Sequence, residues 1–151
     1  MSQFAMNNNA LSDTLFDLMH AYRMAMRSEL KAKQLGLNSM HVKCLTYIAS
    51  QEHCTANDIV SHLCRDKAQI ARLIKEMVEK QWLRKAAHPK DKRSQLLTLT
   101  DQGQQLATLI QQTRTRVQAR MRQNLTEAQL ASFDAIATTI TANLRADNHQ
   151  E

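Results

Sequence analysis

Apolar residues at Leu11, Leu15, Leu18, Met19, Tyr22, Met26 and Leu30 recur in steps of three and four. That spacing draws one stripe along a helix, with Arg23 and Arg27 beside it. Ser12-Asp13-Thr14 supplies a start for this helix and Gly36 a stop. Asn38 or Ser39 can cap a second helix, whose buried face reads as Val42, Leu45, Ile48 and Ala49. Thr55-Ala-Asn-Asp58 is a variant capping box ahead of Ile59, Val60 and Leu63, a short helix over about 55–64. Asp66 caps the next helix, with Gln69 in the place of the usual box partner. Ile70, Leu73, Ile74, Met77 and Val78 then repeat at helical spacing and are expected to face the core.

After Trp82 the period changes. Leu97 and Leu99 alternate with Thr98 and Thr100, as in a half-buried strand, and a short run from Leu83 to His88 precedes them. Pro89 disfavours a helix and fits a hairpin turn, so Lys90, Lys92 and Arg93 are expected at its tip. Asp91 lies among these cations and is expected to pair with a nearby arginine. A long helix over 101–124 follows, striped by Leu106, Leu109, Ile110, Val117 and Met121. The Thr126-Glu-Ala-Gln129 box then opens a last helix bearing Leu130, Phe133, Ile136, Ile140 and Leu144. Residues 1–9 are polar and expected to fray.

Helix, strand, basic turn, strand, helix is the order of a winged helix-turn-helix. The expected fold is mainly α with a small β-hairpin wing, in one domain over 1–151. Its DNA-binding lobe spans 38–100, with a recognition helix at 66–80 and a wing at 83–100. Segments 11–35 and 101–146 carry more apolar surface than such a lobe needs. They are read as a helical dimerisation region built from both termini.

Charge sharpens this picture. Between Arg65 and Arg93, ten basic residues face four acidic ones, which leaves a net +6 in about a fifth of the length. The whole chain of 151 residues carries the same net +6. A basic excess gathered on one helix and the hairpin after it is the footprint of phosphate binding. Lys67, Ala68, Ala71, Arg72 and Lys75 fall opposite the apolar stripe, so small residues separate the charges and permit close approach in a major groove. An arginine at the hairpin tip suits a narrow minor groove.

The same residues form a pattern. Asp66-Lys-Ala-x-x-Ala-Arg72, Val78-Glu-Lys-x-Trp-Leu-Arg84, Asp91-Lys-Arg93 and Leu99-Thr-x-x-Gly103 together resemble the MarR family of multiple antibiotic resistance regulators. The resemblance implies a homodimeric, ligand-responsive regulator of transcription, usually a repressor, acting on a palindromic operator in double-stranded DNA. It implies that Arg93 is the wing arginine reaching the minor groove. Two departures stand out: the family commonly has Gly where this chain has Gln81, and its recognition-face Ser and Thr are replaced by Ala68, Gln69 and Ala71. Gln69 and Arg72 are the candidates for base edges, since Gln suits adenine and Arg suits guanine. Lys67, Lys75, Lys90 and Lys92 suit phosphates.

The resemblance also implies a small anionic or phenolic effector, for which His20, Arg23, Arg27 and His41 are the candidate residues. A thiol-based sensor of the same fold is the alternative, with Cys64 beside Arg65 as its candidate, ahead of Cys44, read as a core residue. Metal ligands are not expected: His41 and Cys44 are spaced i, i+3 and His53 adjoins Cys54, but zinc needs three or four converging ligands. No phosphate loop or nucleophile elbow argues for an enzyme, and no cofactor is expected. A helical scaffold that does not bind DNA is the contrasting class, and it leaves the gathered charge unexplained. No apolar run approaches a membrane span. The N-terminus lacks a signal-peptide pattern, so the three cysteines are expected to be reduced and the protein cytoplasmic.

Overall fold

The structure is a computed structural model that describes residues 9–146; most of the N-terminal segment expected to fray lies outside them. Helix α1 (Ala10–Leu30) starts earlier than Ser12 and follows Asn9, whose side chain makes no cap bond. It stops at Lys31, which is left-handed at φ 53° and whose N–H bonds to the carbonyls of Arg27 and Ser28. A single turn, α2 (Ala32–Leu35), then ends at Gly36, φ +69°. The single helix expected up to Gly36 is therefore two. In an unbroken helix residues two apart point to opposite sides, whereas the break lets both Leu30 and Ala32 be buried, with Leu37 following.

Helix α3 (Ser39–Ser50) is capped by Asn38 and buries His41, Cys44, Leu45 and Ile48. Its inward face is rotated from the expected one: Val42 is half-buried and Ala49 exposed. Helix α4 (Ala56–Leu63) opens with the Thr55–Asp58 capping box and ends at Cys64, again left-handed at φ 50°. Helix α5 (Lys67–Glu79) buries Ile70, Leu73, Ile74 and Met77. These side chains join Leu45, Ile48, Ile59, Trp82 and Leu83 in one core cluster. Each large apolar side chain so enclosed stabilises the fold by about 1.5–3 kcal/mol.

Strands β1 (Leu83–Ala87) and β2 (Gln95–Leu99) form an antiparallel hairpin with Leu83 opposite Leu99 and Ala87 opposite Gln95. The far edge of β2 is tied to the lobe by Leu97 N–H, which donates to Cys54 O at 2.8 Å. Leu96 and Leu97 are both buried, which departs from strict alternation. Only Leu97 of the two belongs to the main core cluster.

Helix α6 (Asp101–Met121) buries Gly103, Ala107, Ile110, Thr113 and Val117. Thr100 caps it: Gly103 N–H donates to Thr100 Oγ1 at 3.0 Å, and the Thr100 hydroxyl donates to Gln81 O. Thr100 N–H also bonds Trp82 O at 3.1 Å. A Cβ on Gly103 would lie 2.0 Å from that same carbonyl, so only glycine fits. The Leu-Thr-x-x-Gly pattern thus locks the end of the hairpin, the turn after α5 and the start of α6 together.

Residues from Gln118 onward form a separate compact unit. Within it, helix α7 (Glu127–Ala146) opens with the Thr126–Gln129 box, Gln129 N–H to Thr126 Oγ1 at 3.1 Å and Thr126 N–H to Gln129 Oε1 at 2.9 Å. None of its residues is buried, and Phe133, Ile136 and Leu144 are more than half exposed.

Candidate nucleic-acid interface

Helix α5 meets solvent with a basic face. Asp66 caps its start, with Oδ1 accepting from Ala68 N–H at 3.4 Å. Among the described residues, no bond returns from the Gln69 amide to Asp66, so the expected box is left half-made and Gln69 stays on the open face. Lys67, Ala68, Gln69, Ala71, Arg72 and Lys75 are all exposed, while Ile70, Leu73, Ile74 and Met77 point inward. The Arg72 side chain is not free-swinging: its Nε donates to Ala68 O at 3.3 Å, which lays the guanidinium along the helix face.

The far end of α5 is held by a compact cluster. Lys80 Nζ lies 4.8 Å from the centre of the Trp82 ring, 3.3 Å from Gly36 O and 3.6 Å from Glu76 Oε1. Gln81 then takes the left-handed conformation, φ 65°. That is a position where glycine avoids the Cβ penalty, which gives a physical reason for the family's usual glycine there. Trp82 N–H caps back to Met77 O at 3.0 Å.

The hairpin tip has its own internal scaffold. His88 Nδ1 accepts the backbone N–H groups of Lys90 at 3.1 Å and Asp91 at 2.9 Å. Asp91 Oδ1 accepts Arg93 N–H at 2.9 Å and Oδ2 accepts the Ser94 hydroxyl at 3.0 Å. This corrects the expected pairing of Asp91 with an arginine side chain: it holds the arginine's backbone instead. The Arg93 N–H and the Ser94 hydroxyl, with His88 nearby, hold the Asp91 carboxyl below its usual range. Lys90, Lys92 and Arg93 are exposed, and the Arg93 guanidinium makes no bond among the described residues. The turn thus spends its one carboxylate on shape and leaves its cations outward. His88 gave no signal in the sequence beyond preceding Pro89, and its role was missed.

The four effector candidates do not meet on one surface. Arg23 and Arg27 are exposed on α1, as is His20, which stacks on Phe16 with centroids 6.4 Å apart. His41 is enclosed at 2 % exposure, and both of its ring nitrogens are engaged, with Asn38 N–H and Glu76 Oε1. That leaves no ring nitrogen for a ligand. The Asn38-x-x-His41 spacing at a helix start was the signal available for this role. A shallow depression between α5, β1 and α6 is lined by Val78, Gln81, Leu83, Arg84, Thr100, Asp101 and Gln102, none of them a candidate.

Cys64 is exposed, and its Sγ lies 3.6 Å from Ser61 O. Cys44 and Cys54 are buried, and burial pushes their thiols up to about 12 and about 11. Among the described residues no three His, Cys, Asp or Glu side chains converge to hold a metal ion. No helix among them is long and apolar enough to cross a membrane.

The fold has counterparts among known proteins. No curated protein matches the sequence significantly. Among solved structures, the chain is similar to a cysteine variant of MarR from E. coli complexed with operator DNA, with 20% identity and a TM-score of 0.73 over 86% of this chain and 92% of that one. It is similar to Bordetella bronchiseptica BpsR, a protein described by the regulation of its DNA binding by 6-hydroxynicotinic acid, with 16% identity and a TM-score of 0.74 over 89% and 95% of the two chains. A MarR/EmrR family transcriptional regulator from Acinetobacter sp. ADP1 matches at 20% identity and a TM-score of 0.72 over 91% and 98%. The MarR family model matches residues 37–95, which run from the start of α3 to the start of β2. Residues 37–95 thus match the MarR family model, and the chain has the winged-helix fold of these structures.

Proposed function

We propose that this protein is a sequence-specific, double-stranded DNA-binding regulator of transcription that acts as a homodimer. The observation that carries this reading is the exposed face Lys67–Gln69–Arg72–Lys75 of α5, followed by a wing whose Arg93 guanidinium has no internal partner among the described residues. In this reading α5 enters the major groove, Gln69 and Arg72 read base edges, Lys67, Lys75, Lys90 and Lys92 bind phosphates, and Arg93 enters the minor groove. Ala68 and Ala71 keep the helix close to the DNA.

A second copy is implied by the apolar residues left open on α1 and α7. On α1 Phe16 is 71% exposed, and on α7 Leu144 is 65% exposed; large apolar side chains left open on a helix mark it as an interaction surface. Two copies would present two α5 helices to successive major grooves, roughly 34 Å apart. The dimer is read as a repressor that samples several such spacings. A small anionic or phenolic effector favouring a mismatched spacing lowers DNA affinity by its differential affinity for the two states. DNA and effector then weaken each other reciprocally. Thiol regulation is the second reading, favoured by the exposure of Cys64 just before α5 while Cys44 and Cys54 are buried.

Selection of random duplex DNA by the purified chain, repeated across salt, tests the main reading. Enrichment of a two-fold palindrome with steeply salt-sensitive affinity is expected. Salt-sensitive binding without enrichment would leave a non-specific DNA-coating protein. No binding would favour the scaffold class.

A further inference from the structure

His41 joins two elements through one ring. Its Nδ1 accepts Asn38 N–H at 3.1 Å while Asn38 Oδ1 accepts His41 N–H at 2.9 Å, closing the capping box of α3. Its Nε2 donates to Glu76 Oε1 at 3.1 Å, across to the C-terminal half of α5. The ring stands edge-on to Trp82 with centroids 5.2 Å apart. These partners fix the tautomer: Nδ1 must be bare to accept an N–H, and the single hydrogen sits on Nε2, where Glu76 needs it.

A second proton has only Nδ1 to go to, where it would point at the Asn38 N–H. Protonation therefore breaks this half of the capping box, sparing the bond from His41 N–H to Asn38 Oδ1, and leaves a cation in an enclosed site. Two charged groups face the ring, Glu76 on α5 and Lys80 just past its end. The Glu76 carboxylate attracts the cation, but it is half-exposed and shared with Lys80, whose Nζ lies 3.6 Å from the same oxygen and repels it. Burial is the largest influence and, with Lys80, holds His41 below its ordinary value of 6.5 despite Glu76.

We propose that His41 is a positioning residue: its neutral form ties the start of α3 to the recognition helix as a clamp, and acidification turns Nδ1 against the Asn38 N–H, releases that end of the clamp and weakens DNA binding. The proposal rests on the DNA-binding reading above and adds to it a pH response located outside the DNA-binding face. The unfolded chain takes up the proton first, because its histidine has the higher pKa. The clamp's contribution is therefore complete above about pH 6.5 and is lost as the pH falls from there toward the lower folded value. The expected sign is diagnostic. Acid otherwise makes a basic protein more positive and strengthens its attraction to phosphates.

The test uses the full chain and its His41→Gln variant. Glutamine keeps an acceptor for Asn38 and a donor for Glu76, and suits the third position of a capping box, but does not titrate. Trp82 is the only tryptophan, so its emission reports the ring beside it, which quenches more strongly as a cation. Emission, thermal midpoint and affinity for a duplex enriched from random DNA by the wild-type protein at pH 8 are measured from pH 8 to 5. In the wild type the midpoint is expected to fall below about pH 6.5, with emission and duplex affinity falling at the lower pH where the folded ring takes up its proton, affinity by about fivefold, the equilibrium worth of one net hydrogen bond. His41→Gln is expected to keep the pH 8 affinity and to lack that drop. The His88 ring is common to both proteins, so its contribution cancels.

Identical pH profiles in the two proteins would overturn the proposal, as would titration of the emission with unchanged affinity. Should His41→Gln fail to fold, the His41 ring proton is followed by NMR in the wild type, and a midpoint at or above the ordinary value overturns the clamp. Absence of duplex binding at pH 8 overturns the DNA-binding reading instead, while the emission titration still decides the clamp.

Discussion

Arg72 and Arg93 are the same residue type in different circumstances. The Arg72 guanidinium is laid along α5 by its bond to Ala68 O, so little side-chain freedom remains to be lost on meeting a base. Arg93 is anchored only through its backbone, by Asp91. Arg72→Ala is accordingly expected to relax discrimination at particular base pairs by roughly 1–3 kcal/mol, whereas Arg93→Ala weakens binding across sequences or at A/T-rich flanks. Binding of both variants to a panel of single-substitution duplexes separates the two effects. Unchanged binding in both, with the fold intact, would misplace the surface. Basic side chains at the right spacing were legible from the sequence alone. What holds each one was not, because Asp91 spends both oxygens on backbone and hydroxyl donors that no charge pattern reveals.

Among the elements, the amphipathic ones were the most legible. The inward stripe of α5 and the capping boxes at Thr55 and Thr126 stand as the spacing predicts, because a 3.6-residue period and a short-range hydrogen bond are local properties. The break at Lys31 and the rotation of α3 were not legible. Both are settled by the core: Leu30 and Ala32 are buried together, and His41 and Cys44 occupy the face that Ala49 was expected to share. The joints between elements follow the same logic. Gln81 holds a left-handed turn between α5 and the hairpin. Gln81→Gly is expected to stabilise the fold by about 0.5–1 kcal/mol, relief of the Cβ clash exceeding the added freedom of the unfolded chain. Gly103→Ala is expected to act in the opposite direction and more strongly, because its Cβ would meet backbone at Trp82 and the hairpin would have to part from α6. Urea unfolding of the two variants measures both. A neutral Gly103→Ala would mean that this joint yields.

At the scale of the whole molecule, two kinds of surface remain open in a single copy: the basic face of α5 with its wing, and the apolar residues of α1 and α7. On the proposed reading, phosphates satisfy the first and another copy of the chain the second. On the homodimer reading, the thermal midpoint is expected to rise with protein concentration, because assembly stabilises the folded state by mass action. Scans over a hundredfold range of concentration check this, and a constant midpoint with a monomeric mass at every concentration would remove the dimer. The sequence announced this surplus of apolar surface as stripes, since a stripe is a local pattern. Its use depends on a partner that no local pattern specifies.

If the open face of α7, which buries none of its own residues, pairs with a second copy, the amount of this protein in a cell is tied to its survival there. On the homodimer reading, a newly made copy carries Phe133, Ile136 and Leu144 bare until it finds another, and meanwhile it is the kind of chain that chaperones hold and proteases cut. Pairing speeds up with the square of concentration while removal of single copies only keeps pace with it. A small fall in synthesis would then cost disproportionately many paired molecules, so that on this reading the protein's own dosage becomes a threshold.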